Sequence, residues 1–134
     1  MHLKTTGLFS LLLLMPAAHA ASSCEQATTQ SAMNECAGQA YKKSDAELNR
    51  VYKEVRAGLK DNKQMTDKLV KAQRAWVAFR DAECSFQGAK TTGGSVHSMV
   101  VSMCLDDVTR TRTQALEKHL TCEEGDLNCA VPRN

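Results

Sequence analysis

Apolar residues recur at helical spacing through most of the chain. In its centre, Leu69, Ala72, Trp76 and Phe79 fall three or four positions apart, which is the spacing of one helix face. The pattern predicts a helix over residues 65–87. Because this segment carries the chain's single tryptophan, we expect its apolar face to lie in the core.

A second apolar series precedes this helix and predicts one long helix, or two with a break, over residues 30–60. Thr29 or Ser31 is placed to cap its start, because a side-chain oxygen accepts from the unpaired N–H groups of a first helical turn. Ser44 and Glu47 have the spacing of a further capping box within this range. Since capping residues have no use in the middle of a helix, we expect a bend at Ser44.

The polar stretch at residues 61–64 is a short turn between the two helices, which makes them an αα-hairpin. The two apolar faces are expected to pack against each other as the core of the protein. They are formed by Leu48, Tyr52, Val55 and Leu59 on one side and by Leu69, Ala72, Trp76 and Phe79 on the other.

Residues 88–95, GAKTTGGS, form the clearest loop, and a last apolar series predicts a helix over residues 96–120. Ser95 or Ser98 is expected to cap this helix. No segment has the alternation of apolar and polar residues that would predict a β-strand. The pattern therefore predicts an all-α protein, a small bundle of three or four helices with an αα-hairpin core.

The first twenty residues have the pattern of an export signal. Lys4 precedes an apolar run from Leu8 to Met15, Pro16 ends that run, and residues 18–20, AHA, match a small-x-small cleavage site. This apolar run is too short for a helix that crosses a bilayer, which needs about 20 residues. We therefore expect cleavage after Ala20 and a periplasmic or secreted protein without a membrane span.

The rest of the chain divides into a helical domain at residues 21–121 and an acidic loop with a flexible tail at residues 122–134. A lipid anchor on Cys24 is the alternative to free export. It is disfavoured because Ala21 stands where a lipidation signal would place leucine, and because lipidation would leave one thiol unpaired.

Six cysteines, all beyond the signal, predict a disulfide framework, since an even number in a short exported chain is typical of one. Sequence alone allows many connectivities. Chain order favours Cys24–Cys36, Cys84–Cys104 and Cys122–Cys129. Zinc is the competing interpretation, but the chain has neither CxxC nor HExxH, so no metal or cofactor is expected.

The charge of the chain is close to neutral. It has 17 basic and 15 acidic residues, for a formal net charge of +2, and removal of the signal with Lys4 lowers this by one. Only 4% of residues are aromatic. Nucleic-acid binding needs a basic surface and often stacking rings, so no nucleic-acid partner is expected.

Four polar residues near the apolar faces form a candidate network: Asp45, Asn49, Gln73 and Arg80. A contact of Asp45 with Arg80, or of Asn49 with Gln73, would satisfy groups that helix packing takes out of water. Such a network either fixes the helix register or contributes to a ligand site. We predict no catalytic activity, because the cysteines are expected to be oxidised and no base is positioned beside a nucleophile.

The chain contains an ordered set of short motifs: TQ at 29–30, MNECA at 33–37, DxxLNxxY at 45–52, QRAW at 73–76, FRDAEC at 79–84 and GGS at 93–95, with Cys104, Thr109, Arg112 and Leu116. As a set, these motifs resemble the bacterial exported domain family named after the N-terminal part of the LprI lysozyme inhibitor. The resemblance covers residues 24–120, and it implies a small α-helical, disulfide-bonded periplasmic or secreted domain. Most relatives have no assigned activity, and inhibition of lysozyme is attributed to the name-giving member.

This resemblance implies a binding protein, with lysozyme as the expected partner. The loop at residues 88–95 is the candidate contact, with Lys90, Gly93, Gly94 and Ser95 entering the active-site cleft. The alternatives are an immunity-type or envelope-stress protein that binds another exported effector, a small-molecule or metal binder, and a structural domain without catalytic activity.

Overall fold

The computed structural model describes Cys24, residues 26–123 and residues 125–131, so the predicted signal peptide and the last three residues of the tail lie outside the described residues. Three α-helices account for most of this part: α1 (Gln30–Gly58), α2 (Lys63–Gly88) and α3 (His97–Glu117). A short 3-10 turn, Ala89–Thr91, follows α2. The predicted all-α bundle is confirmed, with no strand in the described ranges.

Helix α1 begins where the sequence predicts and is not interrupted. Thr29 caps it, because the side-chain oxygen accepts from the N–H of Ala32 at 3.2 Å. The alternative of two helices with a break near Ser44 is wrong, since one helix continues through this residue. The buried Ser44 hydroxyl donates instead to the carbonyl of Tyr41, 3.0 Å away and one turn earlier. A serine hydroxyl that bonds to a carbonyl of the preceding turn has its hydrogen bond inside the helix and does not end the helix.

The starts of the other two helices differ in kind. Asn62 caps α2 by accepting from the N–H of Met65 at 3.0 Å. The predicted serine caps of α3 are wrong, because Val96 precedes the helix and no side chain caps it. The N–H of His97 donates to the carbonyl of Gly94 at 3.2 Å, so the loop's own backbone replaces a side-chain cap.

The core lies mainly between α1 and α3, which pack more closely than any other pair of helices. Two of the four α2 residues assigned to the hairpin core, Leu69 and Trp76, do pack against it. The other two do not, since Ala72 is exposed and Phe79 is 56% exposed. Because α3 covers much of α1, only one edge of α2 reaches the core. The fully formed core consists of Leu48, Val51, Val55, Leu59, Leu116 and Val131.

The end of the described chain returns to this core. Val131, which the sequence assigns to a flexible tail, is only 9% exposed and belongs to the core cluster. It lies against Gly58 so closely that a Cβ built on this glycine would be 2.5 Å from Val131 Cγ1. Because Gly58 has no side chain, the tail can pack against the end of α1.

The cysteines are joined in chain order, as Cys24–Cys36, Cys84–Cys104 and Cys122–Cys129. The first pair ties the N-terminal segment to α1, the second joins α2 to α3, and the third closes the tail loop. None of the described helices is long and apolar enough to cross a membrane.

Candidate functional site

An open groove runs between α1 and α2, and we call it the α1–α2 groove. The two helices are joined by a short turn, so they run antiparallel and the groove follows both axes. Its volume is about 560 Å³. Its polar lining consists of Asp45, Asn49, Arg56, Gln73, Arg74 and Arg80. All four residues of the predicted polar network therefore lie in one groove.

Arg80 is the most buried charge of the groove, with a side chain 11% exposed. Its Nη1 lies 3.3 Å from Asp45 Oδ1 and its Nη2 lies 2.8 Å from Asp81 Oδ1. The guanidinium carbon lies 5.2 Å from the ring centroid of Trp76 and 5.6 Å from that of Tyr41. The structure thus contains the Asp45–Arg80 contact, and it adds two cation–π contacts that the sequence did not predict.

The electrostatics of this cluster are set by burial and by pairing. Burial alone would lower the pKa of Arg80, but the hydrogen bond that Arg80 donates to Asp81 and the nearby acidic groups raise that pKa above its ordinary value. The pKa of Tyr41 is raised chiefly by burial, although the charge of Arg80 opposes the shift. Arg80 therefore stays charged and holds the two aromatic rings and two carboxylates in place.

Asn49 and Gln73 have other partners than each other. The Asn49 amide donates to the carbonyl and to the carboxylate of Asp45, at 2.9 and 3.2 Å, within the same helix. Gln73 Oε1 accepts from Arg112 Nε of α3 at 3.0 Å. Gln73 therefore links α2 to α3, while Asn49 stiffens α1.

Arg112 of α3 is bonded to the groove residue Gln73, and the network predicted from the sequence does not include it. Its pKa is lowered by burial. Its position in the sequence could have indicated its role, because Arg112 lies one turn before Leu116, a core residue of the same helix. This spacing places a charge beside the apolar face of α3.

The second candidate site is the loop at residues 88–95, which is stiffened by its own hydrogen bonds. The Thr91 hydroxyl donates to the carbonyl of Gly88 at 2.7 Å, and the N–H of Gly94 donates to the carbonyl of Thr91 at 2.9 Å. Gly93 has a φ of 82°, in the left-handed region that glycine adopts without strain, and no atom would lie within 4 Å of an added Cβ. The loop therefore has a defined shape and an open tip.

The base of this loop is fastened on two sides. Asn34 Nδ2 of α1 donates to the carbonyl of Ser95 at 2.9 Å. The Cys84–Cys104 disulfide joins the helices on either side, with 5.5 Å between the two Cα atoms. Four residues at the tip and flanks of the loop are exposed: Lys90, Gly93, Gly94 and Ser95.

Within the described ranges, no three or more His, Cys, Asp or Glu side chains are arranged to hold a metal ion. The two histidines of this part serve local contacts. His97 Nδ1 lies 3.0 Å from the hydroxyl of Thr91, and His119 Nδ1 accepts from the N–H of Ala130 at 3.3 Å.

These features define a small, disulfide-bonded helical domain with a braced loop and an arginine-lined groove. The sequence model of the family described as "Lysozyme inhibitor LprI" matches residues 21–116. The chain belongs to this family. A protein of Rhizobium meliloti (strain 1021), named only as uncharacterized, is 39% identical over 116 residues, which cover 75% of this chain and 81% of that protein. No solved structure gives a significant match to the chain.

Proposed function

We propose that this protein is an exported, non-catalytic binding protein that inhibits lysozyme by occluding the active-site cleft with the loop at residues 88–95. Membership in the lysozyme inhibitor family supports the class of partner. Three disulfides support a location outside the cytoplasm, where such bonds persist. The observation that carries the proposal is the braced loop, with its exposed tip and its fastened base.

The chemistry of the loop suits a cleft whose activity depends on two carboxyl groups. Lys90 presents an exposed ammonium group from the 3-10 turn. Gly93 and Gly94 make the tip narrow, so that backbone N–H and carbonyl groups can enter a confined space. Because the loop is already ordered by internal bonds, binding costs little additional conformational entropy. In this proposal Lys90 pairs with a catalytic carboxylate, and the two glycines fill the cleft.

The test is loss of turbidity of a peptidoglycan suspension by lysozyme, with and without the oxidised protein. We expect the protein to slow lysis, and Lys90→Glu to weaken inhibition at least about tenfold, because a favourable charge pair becomes a repulsion. Lys118→Glu is the matched control. It makes the same charge change on an exposed lysine at the opposite end of α3, so inhibition should persist.

Two outcomes contradict the proposal. Undiminished lysis at a large molar excess of folded protein refutes inhibition itself. Equal inhibition by the Lys90 and Lys118 variants would leave inhibition standing but remove the loop as the contact. Thermal melting of both variants checks that the helical fold is intact.

A further inference from the structure

The arginines of this chain divide into two groups by their partners. Arg50, Arg80 and Arg110 each pair with at least one carboxylate. Arg56 and Arg74 have no carboxylate within ion-pair distance anywhere in the part of the chain that the structure describes. Both line the α1–α2 groove.

The third described arginine without a carboxylate partner is Arg112. It is bonded to Gln73, which also lines the groove. Burial lowers the pKa of Arg112, as expected for a cation that has lost water without gaining an anion. All uncompensated guanidinium groups of the described chain therefore lie in the groove or one hydrogen bond from it. The lining of the groove has more positive than negative side chains, and guanidinium groups without a carboxylate partner favour an anionic ligand.

The charge is concentrated at one end. Because α1 and α2 are antiparallel, Asp45 lies near Arg80 at one end of the groove, where Arg80 is shared between Asp45 and Asp81 and contributes no net positive charge. Arg56 and Arg74 lie towards the other end, near the turn that joins the helices. A ligand that fits this arrangement places carboxylates at the turn end of the groove, beside Arg56 and Arg74.

The floor of the groove is apolar and mainly aliphatic. It consists of Leu48, Tyr52, Val70, Trp76 and Val77. The Trp76 ring has the Arg80 guanidinium over it, 5.2 Å from the centroid, so this part of the ring is not open for stacking with a sugar. Apolar side chains beside unpaired arginines suit a polypeptide in which apolar and acidic side chains alternate.

We propose that the α1–α2 groove binds an extended acidic segment of a partner protein, with apolar side chains on the floor and carboxylates on Arg56 and Arg74. Residues 45–56 of α1 span about 16 Å along the groove, which accommodates about five extended residues. This site does not depend on the proposed lysozyme contact. Common lysozymes are basic, so their surfaces would be repelled by the groove that attracts an acidic segment.

The chain supplies its own reporter for this site, because its single tryptophan lines the groove. The probe is a synthetic Glu-Leu-Glu-Leu-Glu peptide with blocked ends, titrated into the oxidised protein while Trp76 fluorescence is recorded. We expect a saturable change that weakens as salt is added. The matched Gln-Leu-Gln-Leu-Gln peptide should bind at least about tenfold more weakly, since it keeps the shape and loses the charge.

Variants locate the binding site. Arg56→Gln and Arg74→Gln should each weaken binding of the acidic peptide at least about fivefold. Arg110→Gln is the control on α3, where the arginine is already paired with Asp106 and Asp107, and it should leave the affinity unchanged. Circular dichroism confirms that each variant is folded.

Three results would overturn the proposal. The first is no saturable response to the acidic peptide, and the second is equal binding of the glutamine peptide. The third is tighter binding of an acidic saccharide, oligogalacturonate, which would assign the groove to carbohydrate.

Discussion

Replacing Gly58 by alanine should destabilise this protein, although alanine is the better helix former. Gly58 is the last residue of α1, and a Cβ built on it lies 2.5 Å from Val131 Cγ1. Two carbon atoms do not approach so closely, so the new methyl group must displace Val131. That residue is 9% exposed and belongs to the core. The substitution therefore forces the Val131 side chain out of its position against α1.

The magnitude follows from two opposing terms. Alanine in place of glycine favours a helix by up to about 1 kcal/mol. Burial of a valine side chain contributes about 2 kcal/mol, much of which is lost when Val131 moves out. The expected net loss is about 1 kcal/mol, or about 4–8 °C in Tm for a domain of this size.

The decisive measurement is a double-mutant cycle. In a Val131→Ala background the clashing Cγ atoms are absent, and the valine Cβ is already 3.8 Å from the added carbon, an ordinary contact. Gly58→Ala should then stabilise by up to about 1 kcal/mol, so the sign of its effect reverses and the coupling energy is about 2 kcal/mol. Urea denaturation followed by helical circular dichroism measures each variant.

Gly38→Ala provides the matched control within the same helix. Nothing lies within 4 Å of a Cβ added there, so this substitution should stabilise the protein in both backgrounds. If Gly58→Ala instead behaves like Gly38→Ala, stabilising with or without Val131, the tail is not packed against the end of α1 and our reasoning fails.

Two further predictions concern buried polar groups. Thr109 is fully buried, and its hydroxyl has no hydrogen-bond partner in the described structure, so Thr109→Val should leave the free energy of unfolding unchanged or raise it by about 1 kcal/mol. Thr113→Val removes a hydroxyl that donates to the Thr109 carbonyl at 3.0 Å, and it should lower stability by about 1 kcal/mol. Equal losses in the two urea midpoints would contradict this assignment. Burial raises the pKa of Tyr41 above 10.0, so the folded state keeps this proton when the unfolded state has lost it. The resulting stabilisation is complete below pH 10 and is lost as the pH rises through the folded pKa. Tyr41→Phe should therefore reduce the alkaline slope of stability, and an unchanged slope would show that Tyr41 is not the group involved.

The helices were predictable because their periodicity is a local property of the sequence. The Thr29 cap was predictable for the same reason. Whether the helix breaks at Ser44 was not predictable, since the same hydroxyl either caps a new helix or bonds back within a continuing one, and local sequence favours neither. Periodicity identified the apolar face of α2 but not its neighbours, so it could not show that α3 would pack on α1 and leave Phe79 exposed.

The candidate sites depend on contacts between residues distant in sequence. The Asp45–Arg80 contact was predictable because an αα-hairpin brings those helix positions together. The bond between Gln73 and Arg112 joins helices that the hairpin pattern does not relate. The burial of Val131 depends on the space beside Gly58. It could not be predicted from the sequence, because the tail has no periodic pattern of apolar residues.

The pairing of each cysteine with the next one along the chain has a consequence for biogenesis. The partners are separated by 12, 20 and 7 residues, and no two of these disulfide loops overlap. If the chain crosses a membrane with its N-terminus first, the first cysteine of each pair emerges before the second. When the second cysteine emerges, its native partner is the only other thiol outside that is not yet oxidised. Simple oxidation in order of emergence then gives the native connectivity, so we expect maturation to need an oxidant and no disulfide isomerase.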